Sequence, residues 1–228
     1  MTGVARVRAA RSVARALGSA RPRRGGGSRS GRSFAVTLLT PVRAGAEGEL
    51  SAYLNALGVG DKSPLAKLPY VHFARWVVID QLKTDWPGAP VPPPRLKSQY
   101  LLFTASLTAP AEDHVPLAEG RYAEQLPESF LYELCTRIPA DAHAIWSHCV
   151  GYPGISDGDA FVRYLARSQL ETSLFHVGYA DVTVEEVRQA LAACDALVTF
   201  ARDHQREQDA KTLQQAYREE SPTWFPSR

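Results

Sequence analysis

Val71-His72-Phe73-Ala74-Arg75-Trp76-Val77-Val78-Ile79-Asp80 decides how this chain is read. β-Branched and aromatic residues dominate it, side chains that fit a pleated, half-buried surface, so it reads as a strand running to about Leu82. A second strand is expected upstream at Phe34-Ala35-Val36-Thr37-Leu38-Leu39-Thr40-Pro41-Val42, which ends at a proline. Between the two, Leu50, Leu54 and Leu57 recur at i, i+4 and i+7, predicting a helix over 47–57 that Gly58 and Gly60 stop.

Downstream, residues 83–97 hold five prolines and read as a loop; Gln99 to Thr108 reads as a third strand. Residues 109–120 are a second loop. Phe130, Leu131 and Leu134 mark a helix over 121–137, with Pro127 in its first turns. A further helix is expected over 157–169, capped by Asp157 or Asp159 and lined by Phe161, Tyr164 and Leu165. Thr172 to Tyr179 reads as a fourth strand. Thr183, with Glu186 three residues on, forms a capping box that opens a helix over 184–204. Its apolar stripe is Val187, Leu191, Cys194, Leu197 and Val198. Residues 205–228 form a polar tail ending in Trp224-Phe225-Pro226.

Of the 228 residues, 45% are hydrophobic, enough for one domain with a sizeable core, and no apolar run is long enough to span a membrane. Residues 1–33 carry nine arginines and no acid, a tail without core-forming residues that reads as disordered or as an organellar targeting peptide. Without those arginines 17 basic and 24 acidic residues remain, a balance of −7 that repels a nucleic-acid backbone. Three cysteines, Cys135, Cys149 and Cys194, show no CxxC spacing, which points to a reducing compartment, the cytoplasm, and away from a zinc ribbon. No GxSxG, P-loop, GxGxxG or HExxH pattern is present, so neither hydrolase nor nucleotide-binding chemistry is indicated.

The order β-α-β-β-α-(connector, α)-β-α contains the split βαβ pattern of a ferredoxin-like α+β domain: a four-stranded antiparallel sheet with helices on one face and an extra C-terminal helix. From Phe34 to His204 the chain resembles the dimeric α+β barrel superfamily. The resemblance rests on this order and on strands such as His72–Ile79 and Tyr100–Ser106. It implies a homodimer joined through the open sheet face. It also implies an oxidative enzyme, monooxygenase- or peroxidase-like, acting on a mostly apolar small molecule, either with haem, which no motif supports, or without a cofactor and with His72 or His176 as base. No catalytic motif of that superfamily is matched, so no residue role is carried over.

Period-two bookkeeping then sorts the strands. Phe34, Val36 and Leu38, with Phe73, Val77 and Ile79, Leu101, Phe103 and Leu107, and Phe175 and Val177, are expected against the helices. Arg75 lies among them and needs an acid. His72, Trp76, Tyr100, Thr104 and His176 are expected on the opposite face, where a few polar groups among apolar ones suit a ligand cavity or a dimer interface.

The stretch Ala144-Ile145-Trp146-Ser147-His148-Cys149-Val150-Gly151-Tyr152-Pro153-Gly154 adds a histidine, a thiol and two aromatics. It reads either as a packed connector or as a pocket wall. Candidate catalytic residues are therefore His72, His176, His148 and Cys149. Trp76, Thr104, Trp146, Tyr152 and Gly151 are candidate substrate contacts. No metal set is expected. The other reading of the whole is a non-catalytic dimeric binding module or accessory subunit.

Overall fold

The computed structural model describes residues 28–81, 95–108, 122–179, 181–206 and 209–224. The tail expected over 1–33 lies outside the described residues as far as 27, as do both expected loops over most of their length and residues 225–228. The chain forms two compact units, one ending at Asp181 and the other starting at Val182. The reading above ends the domain at 204, so the long helix falls in a different unit from the sheet.

The first unit is α+β. Its sheet holds β1 (Arg29–Ser30), β2 (Ser33–Pro41), β3 (Val71–Gln81) and β4 (Arg95–Thr108), all antiparallel, in the spatial order β1-β2-β4-β3. Four helices accompany it: α1 (Glu47–Ala56), α2 (Tyr122–Arg137), α3 (Pro139–Trp146) and α4 (Gly158–Arg167). β4 is central because alternate residues of a long apolar run, Leu101, Phe103, Ala105 and Leu107, are buried while both of its edges are paired. It begins at Arg95, earlier than the proline-rich reading allows.

Those inward residues join Val36 and Leu38 of β2 in one core cluster. Leu50 of α1, Phe130, Leu131 and Leu134 of α2, Ile145 and Trp146 of α3, and Phe161, Val162 and Leu165 of α4 complete it. Burying one such large side chain contributes about 1.5–3 kcal/mol. Asp157 caps α4 by accepting from the Ala160 N–H at 3.0 Å.

Two expectations are corrected. Thr172–Tyr179 forms no strand, so the fourth strand is the short β1 instead. The free edge of β2 is already engaged. Ala35 N–H donates to the Ser28 carbonyl (2.8 Å), Leu39 N–H to Ser168 (2.9 Å), and Leu170 N–H to Thr37 (2.8 Å). Leu38 and Gln169 make an antiparallel bridge between these last two bonds. Edge groups satisfied in this way offer residues 172–179 little to pair with.

The second correction concerns β3, whose faces are the reverse of those expected. Trp76 lies opposite Phe103, and Ala74, Trp76 and Val78 pack on the core, while Phe73, Arg75 and Val77 face outward. A bulge between Val71 and Phe73 shifts the register by one residue, and a one-residue slip exchanges the two faces of a strand.

The second unit holds α5 (Val184–Asp203) and α6 (Ala210–Glu220), followed by a single 3₁₀ turn. The capping box is present: Thr183 Oγ1 accepts from Glu186 N–H at 3.1 Å, and Glu186 Oε2 accepts from Thr183 N–H at 2.8 Å. The two helices meet at one end through rings, with Phe200 5.8 Å from Tyr217 and 5.5 Å from Trp224 between centroids. Trp224 closes this small cluster, its ring 5.4 Å from that of Tyr217. Among the described residues, no helix of either unit is long and apolar enough to cross a membrane.

Candidate functional site

On the sheet face away from the helical core, four rows run across β2, β4 and β3, because side chains alternate along each strand. They are Ala35–Ser106–Phe73, Thr37–Thr104–Arg75, Leu39–Leu102–Val77 and Pro41–Tyr100–Ile79. Phe73 is 78% exposed and Val77 39%. The Arg75 Nε–H donates to Thr104 Oγ1 at 3.2 Å, which ties the guanidinium of edge strand β3 to β4. Arg75 is thus a surface cation here, and the acid expected to neutralise it in the core is not needed. Among the described residues of these rows none is acidic.

The candidate catalytic residues do not gather on this face. His72 sits in the β3 bulge, half-buried, with Nε2 withdrawn from solvent. His176 is exposed in the irregular stretch after α4. His148 follows α3, with Nδ1 3.9 Å from Glu49 Oε2. Of the candidate substrate contacts, only Thr104 is on the open face. Trp76 and Trp146 belong to the aromatic core: Trp76 is 5.1 Å from Phe103 and 6.4 Å from Trp146, which lies 5.6 Å from Phe161. Haem needs a flat apolar slot with an accessible imidazole. The space beside Trp76 is filled by rings, and His72 Nε2 is shielded, so these residues do not fit a haem.

The stretch from Ala144 to Gly154 is a packed connector. Ile145 and Trp146 are fully buried. Cys149 bridges Val42 antiparallel, Val150 N–H donates to the Pro41 carbonyl (2.8 Å), and Arg43 N–H donates to His148 (2.9 Å), so the segment is laced to the end of β2. Gly151 and Gly154 have φ of 75° and 98°, values that a side chain would strain, and they serve the turn. Tyr152 is not a pocket wall: its hydroxyl meets His143 Nδ1 at 3.0 Å and its ring packs edge-on against Phe161.

Cys149 is 2% exposed and its Sγ lies 3.3 Å from Thr40 Oγ1. Burial pushes the thiol above its usual range, opposed by hydrogen bonds from Thr40 and Tyr164. A nucleophilic cysteine needs the reverse environment. Burial likewise pushes Cys135 up to about 11. Cys194, on α5, is the exposed thiol among the three. A thiol reagent is expected to label Cys194 first in the native protein, and Cys135 and Cys149 only after denaturation. Early labelling of Cys149 would contradict the packing described.

One feature escapes the sequence: a polar cleft of about 450 Å³ among the end of α1, the two 3₁₀ turns after it and Asp141 of α3. It carries Asp61, Lys62 and Lys67, charges of both signs. Asp141 Oδ1 accepts from the Tyr53 hydroxyl at 2.9 Å. Burial first, and then this bond, push the Tyr53 phenol from 10.0 up to about 12. The folded chain then holds its proton where the unfolded chain has lost it, so the stabilisation is complete below pH 10 and vanishes as pH rises through 12. Tyr152 and Tyr164 are shifted in the same direction, chiefly by burial. The urea midpoint is expected to fall over that alkaline window, and to fall less in Tyr53→Phe. An equal fall in that variant would remove Tyr53 from the explanation.

Among the described residues no cluster of three or more metal-ligating side chains exists. Comparison of the chain with protein-family models, with curated proteins and with solved structures finds no match.

Proposed function

We propose that this protein is a non-catalytic binding module, an accessory subunit that works by docking a protein partner on the open sheet face of its first unit. The observation that carries this reading is the pair Phe73 and Arg75, exposed on the edge strand β3 beside the half-buried outward residues of β2 and β4. Aromatic residues and arginine are the side chains on which interface energies concentrate. Phe73 offers a large apolar surface, and Arg75 is pre-oriented by Thr104 rather than free to swing.

The face also argues about who binds. Two copies apposed through it would bring Arg75 of each towards the other with no acid among the described residues of either face to separate them, and like charges at close range cost affinity. The partner that fits presents a carboxylate to Arg75 and an apolar recess to Phe73. The superfamily-type alternative, a homodimer enclosing a substrate cavity, would need His72 and Trp76 on this face.

The test is the protein's function in its host. Alanine at His148 and at His176 is expected to leave that function intact, while Arg75→Glu abolishes it without lowering thermal stability. Loss of function in the histidine variants with Arg75→Glu still active would return the protein to the enzyme class.

A further inference from the structure

We infer that α5 pairs with the α5 of a second copy of this chain as a short antiparallel coiled coil. The inference uses the second unit alone and is independent of the sheet face. Val184, Val187, Leu191, Cys194, Val198 and Ala201 are spaced by 3, 4, 3, 4 and 3 residues, the alternation that keeps one seam along a helix. The seam is uncovered. Leu191 is 61% exposed and Val198 59%, Val187 and Cys194 are exposed, and Leu197 flanks them, also exposed. The residues of α5 that pack within the unit, such as Phe200, lie on another side of the helix. An apolar strip of this length on a water-soluble helix marks a contact surface.

Charge fixes the direction. In an antiparallel pair with Leu191 of one helix facing Cys194 of the other, the layers are Leu191–Cys194, Val187–Val198 and Val184–Ala201, each occurring twice. This register sets Arg188 beside Asp195 of the second copy, again twice. A parallel pair in register would set Ala190 beside Asp195 and Leu197 beside Arg202, with no opposite charges meeting. Flanking charges choose partner and orientation in coiled coils, so the antiparallel register is the one this sequence supports. The seam spans two and a half heptads, which makes the association reversible and concentration-dependent.

The test is oxidative cross-linking of the full chain with copper phenanthroline, in a Cys194→Ala background. Val187→Cys and Val198→Cys are prepared separately. In the antiparallel register, position 187 faces 198, while like positions lie 11 residues apart along the axis, about 16 Å, beyond the roughly 7 Å a disulfide spans. Neither variant alone is expected to cross-link, and a mixture of the two is expected to give a covalent dimer. Cross-linking of each variant with itself would overturn the antiparallel register. A second measurement covers variants that weaken the helix. In sedimentation, the parent chain is expected to dimerise as concentration rises and Leu191→Asp to remain monomeric with unchanged helical circular dichroism. A parent chain that stays monomeric across the range, or a Leu191→Asp variant that still dimerises, would overturn the pairing.

Discussion

Trp146→Ala is expected to cost about 3–5 kcal/mol, the usual range for emptying a buried aromatic site and enough to unfold a marginally stable domain. Trp146 is fully buried at the last turn of α3, where its ring meets Trp76 of β3, Phe103 of β4 and Phe161 of α4. One side chain therefore joins two strands to two helices. Neighbours on three different segments cannot all move in to fill the void, which places the substitution at the upper end of that range. Trp146→Phe is expected to cost far less, because the indole Nε1 is buried with no hydrogen-bond partner among the described residues, so its removal breaks no bond. Urea denaturation of the two variants gives both numbers. Similar losses for both would mean that shape, rather than buried area, dominates the site.

Phe73→Glu is expected to do the opposite, abolishing partner binding at almost no cost in stability. At 78% exposure the ring has little burial to lose in the free protein, and surface substitutions of this kind fall within about 0.5 kcal/mol. In the complex, the new carboxylate would lie on the sheet beside Arg75 and compete for the guanidinium that a partner must reach. Loss of an aromatic anchor that is a hot spot costs 2 kcal/mol or more in typical interfaces, roughly thirtyfold in affinity, before any repulsion is added. Melting temperature and complex recovery, measured on one preparation, separate the two effects. A variant that binds normally would remove Phe73 from the interface, and one that melts far earlier would make Phe73 a structural residue.

Much of the sheet and helix content was legible because it depends on local periodicity. The stripe Leu50, Leu54, Leu57, the Asp157 cap and the Thr183–Glu186 capping box all mark elements that are present. What misled was the relation of segments to one another. Alternation along Val71–Asp80 shows that β3 has two faces but not which is inward. That depends on one bulged residue at His72, and the same bulge moved Trp76 into the core and Phe73 out of it. The run from Thr172 to Tyr179 has strand-like residues, yet the edge it would need is held by Ser28, Ser168 and Leu170. The site followed the same logic. His148 and Cys149 looked reactive by composition, and only the ties from Val42, Pro41 and Thr40 identify their segment as packing. The heptad seam of α5 was legible as an apolar stripe, but its exposure is a tertiary fact.

The central claim, that the open sheet face is the working surface, is tested most directly by photo-cross-linking in the host cell. p-Benzoylphenylalanine is placed at position 73 and, as a control, at position 136, which is exposed on α2. Position 73 is expected to yield one discrete adduct with a different protein, position 136 none, and the adduct is expected to vanish when Arg75→Glu is added. Equal adducts at both positions, or an adduct at 73 that survives Arg75→Glu, would contradict it.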